Sequence, residues 1–113
     1  MKNNQIDYIE FHANDLEMIK AFYTACFKWT FTDYGPDYTS FSDGKLNGGF
    51  ERTDSEIVSG VLVVLYHENL EFIRGEIIKS GGKVSKDIFA FPGGKRFHFV
   101  DPSGNELAVW SDK

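Results

Sequence analysis

Phe97-His98-Phe99-Val100-Asp101-Pro102-Ser103-Gly104-Asn105-Glu106-Leu107-Ala108-Val109-Trp110 reads as two alternating apolar stretches around a polar interruption. Pro102 sets φ at one turn position and Gly104 permits positive φ, so Asp101 to Asn105 predicts a tight turn between two strands. The Asp101 carboxylate is placed to accept from the amides that follow it. An echo stands earlier, in Phe41-Ser42-Asp43-Gly44-Lys45-Leu46. Further upstream, His12-Ala13-Asn14-Asp15-Leu16-Glu17-Met18-Ile19 matches His67-Glu68-Asn69-Leu70-Glu71-Phe72-Ile73 with one residue of slippage. The matches keep the same order in both halves. The chain therefore reads as two copies of one unit, about residues 1–56 and 57–113, joined through Arg52 to Ser59.

Each copy opens with a strand. Ile6 to Phe11 alternates, with Tyr8 and Glu10 on one face and Ile9 and Phe11 on the other. Val61 to Tyr66 is apolar on both faces and predicts a covered strand. A helix follows each. Leu16, Ile19, Phe22, Tyr23, Cys26 and Phe27 form one stripe at helical spacing, capped by Asn14 or Asp15, and Asn14 with Glu17 has capping-box spacing. Leu70, Ile73 and Ile77 form the second stripe, with Asn69 as cap and Gly81-Gly82 as stop. Three strands follow each helix: Thr30 to Tyr34, Tyr38 to Ser42 and Gly48 to Glu51, then Lys83 to Phe91, Arg96 to Val100 and Glu106 to Trp110. The expected fold is α+β: a single domain over 1–113 in which two βαβββ units form a curved, mostly antiparallel sheet with the helices outside.

Composition bounds the function. The 113 residues are 42% hydrophobic and 16% aromatic, with 11 Phe, which suits a packed core and argues against disorder. A net charge of −5 without a basic patch makes nucleic acid and anionic membranes poor partners. The run Val61 to Tyr66 is too short to cross a bilayer, and Met1 to Gln5 has no signal-peptide core. A single cysteine, Cys26, excludes an intrachain disulfide and makes the cytoplasm the expected compartment. Pro92-Gly93-Gly94-Lys95 lacks the spacing of a phosphate loop and predicts a rim hairpin that could serve as a lid. There is no Gly-x-Ser-x-Gly elbow or Cys-x-x-Cys pair, and no cofactor is expected.

The order of elements, with Asp15-Leu16, Ala21-Phe22-Tyr23, Gly81-Gly82-Lys83 and the closing Asp101-Pro102-Ser103-Gly104-Asn105-Glu106-Leu107, resembles the vicinal oxygen chelate superfamily. That superfamily includes lactoylglutathione lyase, the bleomycin- and fosfomycin-resistance proteins and the extradiol dioxygenases. The resemblance implies a cup shared by the two units, with any metal held inside by His, Gln or Glu on matching strands. Carried over by position, the family's ligand sites fall on Tyr8, at or near Leu62, and on Ala108, with a fourth within Gly48 to Glu51. Leu and Ala have no donor atom, and phenolic Tyr is an uncommon ligand. The expectation is a cup without the family's metal. The resemblance also implies a homodimer.

Strand alternation supplies the lining. If Asp101 to Asn105 is the loop, Val100 pairs with Glu106 and His98 with Ala108. Tyr8, Glu10, Leu62, Val64, Arg96, His98, Glu106, Ala108 and Trp110 then face the cup, mixing aromatic walls with a few ionisable groups. His98 and Glu10 are the candidate acid–base pair. A structural imidazole at His98 and a Glu10–Arg96 ion pair are the competing readings. Trp110 either stacks on a flat ligand or closes the core. His12 and His67 precede the two helices at matching places, where capping or structural roles fit better than a metal pair. Cys26 lies on the apolar stripe as a core thiol. Three functions follow: a metal-free binder of a small organic molecule, a lyase or isomerase similar to lactoylglutathione lyase, or a non-catalytic dimeric interaction module.

Overall fold

The computed structural model describes residues 3–113; Met1 and Lys2 lie outside the described residues. The elements run β1 (Tyr8–Ala13), α1 (Leu16–Phe27), β2 (Thr30–Asp33), β3 (Tyr38–Ser42), β4 (Asn47–Arg52), β5 (Val63–Tyr66), α2 (Leu70–Lys79), β6 (Lys83–Phe91), β7 (Gly94–Val100) and β8 (Glu106–Ser111). This is βαβββ twice. The strands form two four-stranded sheets, ordered β1-β4-β3-β2 and β5-β8-β7-β6. In each sheet the opening strand runs parallel to the closing one, and the other pairs are antiparallel.

The α1 stripe is buried as its spacing requires, apart from half-buried Phe27. Asp15, not Asn14, caps α1, its side chain accepting from the Met18 amide. Asn14 is drawn away from capping because its Nδ2 donates to the carbonyls of Thr53 and Ser55 in the join. Asn69 caps α2 as expected. The opening strand starts two residues later than its alternation suggests, at Tyr8. The larger departure is Val61 to Tyr66: the strand begins only at Val63 and lies at a sheet edge, with Val64 and Tyr66 exposed. Only one face is covered: Val63 and Leu65 pack against the core.

Between the helices and the sheets lies an aromatic core. Trp29 stacks between Tyr23 at 4.5 Å and Phe41 at 4.4 Å. Phe50 stacks on Phe11 at 5.1 Å, and Phe22 and Phe27 reach Phe99 in the second unit. Cys26 is buried among them, its thiol pushed up by burial, as a core cysteine should be.

The quoted turn bolts the two units together. The Asp101 Oδ1 accepts from the amides of Ser103, Gly104 and Asn105. Its Oδ2 accepts from the Tyr23 hydroxyl on α1 at 2.9 Å and from Asn105 Nδ2 at 3.0 Å. Asn105 Nδ2 also donates to the His12 carbonyl, and the Asn14 amide donates to Ser103 Oγ. Gly104 has φ +107°, and a Cβ there would meet only Ile57, at 3.7 Å. Gly104→Val should therefore cost about 1–3 kcal/mol through backbone strain alone. Urea denaturation reads that loss, and an unchanged midpoint would contradict the positive-φ reading.

Pro92-Gly93-Gly94-Lys95 does not form a lid. β6 runs to Phe91 and β7 starts at Gly94, so only Pro92 and Gly93 turn, with Gly93 at φ +109°. The strands pair right up to Phe91 and Gly94, which leaves no hinge.

Candidate functional site

The opening strands and the helix starts of the two units correspond position by position. Placing the cap Asp15 on Asn69 puts Tyr8 on Leu62, Glu10 on Val64 and His12 on Tyr66. Glu10 pairs with Gly49 across the first sheet, and Val64 pairs with Ala108 across the second. Gly49 is thus the counterpart of Ala108, and the fourth family ligand position within Gly48 to Glu51 falls on Gly49. The same correspondence separates His12 from His67. His12 Nε2 lies 3.6 Å from Glu51 Oε1, whereas His67 Nδ1 accepts the Asn69 amide at the start of α2.

On the inner face of the first sheet, the Gly49 position is taken up by two phenols. A Cβ on Gly49 would collide with the hydroxyls of Tyr38 and Tyr8. Those hydroxyls bond to each other, and Tyr38 donates to Glu10 Oε1 at 2.9 Å. Partial burial, followed by the Tyr8 and Glu10 hydrogen bonds, pushes the Tyr38 phenol well above its ordinary range, so it stays protonated as a donor. Glu10 is therefore held by Tyr38, and among the described residues it makes no ion pair with Arg96.

The inner face of the second sheet follows the expected register: Val100 opposite Glu106, His98 opposite Ala108 and Arg96 opposite Trp110. His98 Nδ1 lies 3.4 Å from Glu106 Oε2, which also accepts from Ser85 Oγ at 2.9 Å. The Arg96 guanidinium lies over Phe89 at 5.3 Å and Phe91 at 5.7 Å. Trp110 meets Tyr66 edge-on at 5.3 Å. Among the described residues, Arg96 Nε and His98 Nε2 are buried without a hydrogen-bond partner.

Of the expected site residues, Tyr8, Glu10 and Glu106 line one cavity of about 440 Å³ between the opening strands, bordered by Val58 of the join and by Val61, which precedes β5. Leu62 stands just before β5 and is 39% exposed, whereas Ala108 is fully buried. Val64 lies at the β5 edge and borders a different cleft. His98 and Glu10 stand on different sheets and share no hydrogen bond, so the structure does not join them as an acid–base pair. The partner of His98 is Glu106. Tyr38 is a site residue that the strand pattern does not single out, and Gly49 lies in the Gly48 to Glu51 window without being fixed there; the signal for both is the Gly48-Gly49 doublet inside a strand, a mark of close approach.

The donor set does not fit a metal. Of the four matched positions, Gly49, Leu62 and Ala108 have no donor side chain. Among the described residues, no group of three or more His, Cys, Asp or Glu is placed to hold an ion.

Two paired sheets, each opened and closed by parallel strands with a helix behind, define a glyoxalase-type fold. The chain belongs to the Glyoxalase/Bleomycin resistance protein/Dioxygenase superfamily, whose profile matches residues 5–109. Solved structures agree at low identity. A glyoxalase/bleomycin resistance protein/dioxygenase family enzyme from Burkholderia phytofirmans PsJN is 15% identical, with a TM-score of 0.83 over 96% of this chain and 100% of that one. A glyoxalase-related enzyme from Fulvimarina pelagi is 16% identical, with a TM-score of 0.82 over 96% and 88%. The fosfomycin resistance protein FosX of Listeria monocytogenes, solved as a mutant with Mn(II) and 1S,2S-dihydroxypropylphosphonic acid, is 15% identical, with a TM-score of 0.83 over 97% and 91%. No curated protein matches the sequence. No helix among the described residues is long and apolar enough to cross a membrane.

Proposed function

We propose that this chain binds a small organic molecule in its cup and does so without the family's metal. The observation that carries this is the substitution of the metal positions: Gly49, Leu62 and Ala108 supply no donor, and the volume beside Gly49 holds the Tyr8–Tyr38–Glu10 cluster instead. On the opposite sheet, Arg96 Nε and His98 Nε2 are polar groups without a hydrogen-bond partner among the described residues. The lining thus offers hydrogen bonds and aromatic faces, enough for binding.

Purified protein is expected to carry no stoichiometric metal, and chelators should leave its melting temperature unchanged. Elemental analysis and thermal denaturation check this. The triple variant Tyr8→His, Leu62→His, Ala108→Glu should gain measurable zinc or nickel affinity. One tightly bound metal per unmutated chain, lost on changing Glu10 or His98, would overturn the reading and revive a lyase or isomerase of the glyoxalase type. A titration with divalent metals followed by a glyoxalase assay tests that alternative directly. The His98–Glu106 pair is what favours it, since a carboxylate orienting an imidazole is an acid–base arrangement.

The active species is a homodimer in a reducing cytoplasm. The exposed Ile6, Val58 and Val61 support this, because pairing would take these apolar side chains out of water. Light scattering at micromolar concentration is expected to give twice the chain mass; a monomer mass would count against pairing. Dimerisation with no ligand uptake by the cup would favour the interaction-module reading.

A further inference from the structure

The correspondence between the units fails at the turn that joins their last two strands, and a cleft opens there. In the second unit the turn from β7 to β8 is pinned to the first unit through Tyr23, the His12 carbonyl and the Asn14 amide. Its counterpart is the turn from β3 to β4, Asp43 to Leu46, which should be pinned near Tyr66 and Glu68. It makes no such bonds among the described residues. The Asp43 carboxylate is spent locally on the amides of Lys45 and Leu46, and Asp43, Gly44 and Lys45 are exposed, whereas Asp101 and Asn105 are buried. The position of Tyr23 on α1 corresponds to Ile77 on α2, which has no hydroxyl to donate. What remains is a cleft of about 690 Å³ between this turn, the end of α1 and the β5 edge, within the usual size of small-molecule sites.

Its floor is apolar: Ile9, Trp29, Phe41, Val63 and Leu65 line it, with Phe72 at one side. Its polar groups are mostly donors. Lys28, at the end of α1, gives one hydrogen bond to the Ala25 carbonyl and keeps two N–H groups. Lys45 makes no side-chain hydrogen bond or ion pair among the described residues. His67 uses Nδ1 as an acceptor, so its neutral ring carries the proton on Nε2. In a chain of net charge −5, these donors beside an apolar floor select an anionic head with an apolar tail.

We propose that this cleft is a second binding site, separate from the cup, for an amphipathic carboxylate of fatty-acid type. The carboxylate lies at Lys28 and Lys45, and the alkyl chain runs along Val63 and Leu65 toward Trp29. Asp43 is the one acidic group on the cleft and opposes the anion.

The test is a titration of the Trp110→Phe protein with decanoate, kept below its micelle concentration and followed by Trp29 fluorescence. A saturable change is expected. Lys28→Ala with Lys45→Ala should weaken it about tenfold or more, Asp43→Asn should tighten it, and decanol should bind more weakly than decanoate. Circular dichroism and the melting temperature of each variant establish that it is folded. If Trp110→Phe does not fold, amide chemical shifts of β5 in the unmutated protein carry the same readout. Absence of a saturable response, equal affinity for decanol, or indifference to the lysine substitutions would each overturn the proposal. So would loss of decanoate binding in Arg96→Ala with no loss in the lysine variant, which would place the ligand in the cup.

Discussion

Asp101→Ala is expected to lower folding stability by about 3–5 kcal/mol, because it strands the buried Tyr23 hydroxyl and one of the two Asn105 Nδ2 N–H groups, and frees three turn amides. In a domain of this size that is a melting-temperature drop on the order of 15 °C. Asp101→Asn should fall between the two, since its oxygen still serves the amides while its NH₂ faces the Asn105 amide nitrogen. The pH dependence has a definite sign. Burial lifts the Asp101 carboxyl above its ordinary value of 3.8, outweighing the opposing hydrogen bonds from Asn105, Tyr23 and Ser103. The folded chain therefore keeps this proton to higher pH than the unfolded chain does. The group's contribution is fully present below pH 3.8 and declines as pH rises through its folded value. The stability gap between the native protein and Asp101→Ala should accordingly narrow as pH rises from that point. Urea denaturation across the acid range measures it; a gap that widened would mean the carboxylate is stabilised, not penalised, by its site.

Phe50→Ala should cost about 3–5 kcal/mol by opening a cavity in the middle of the aromatic core. Phe50 is fully buried, stacks on Phe11 at 5.1 Å, and lies 5.4 Å from Tyr23 and 5.6 Å from Phe41. Five elements meet at this ring: β1, α1, β2 through Phe31, β3 and its own strand, β4. Because β4 also carries Gly49, a slackened Phe50 should loosen the Tyr8–Tyr38–Glu10 cluster on the opposite face. Phe50→Leu keeps most of the volume and should lose less than half as much. Calorimetry distinguishes the two. A loss under about 1 kcal/mol for the alanine variant would be typical of a peripheral side chain, and would show that the core is centred elsewhere.

Much of this molecule is legible in its sequence. The repeat, the two helices, the Asn69 cap and the register of His98 opposite Ala108 all follow from short-range rules. Capping, turn chemistry and strand alternation act within a few residues, so the information sits in neighbouring letters. That Leu62 and Ala108 carry no donor atom was equally plain, because donor chemistry belongs to the side chain itself. Long-range relations were another matter. Val61 to Tyr66 looked like a covered strand because hydropathy shows that a surface is apolar but not what lies against it. Asn14 lost its capping role to carbonyls in the join. Glu10 found Tyr38 rather than Arg96, and His98 found Glu106 rather than Glu10, because pairing across sheets depends on which edges meet. The role of Gly49 needed all three neighbouring strands in place, since it consists of the space that two tyrosines from other strands require. The sequence by itself determined the local elements, their order and the lack of a donor atom at Leu62 and Ala108. Only the tertiary structure decided which polar groups became partners and where the two units failed to match, because those depend on packing between segments far apart in the chain.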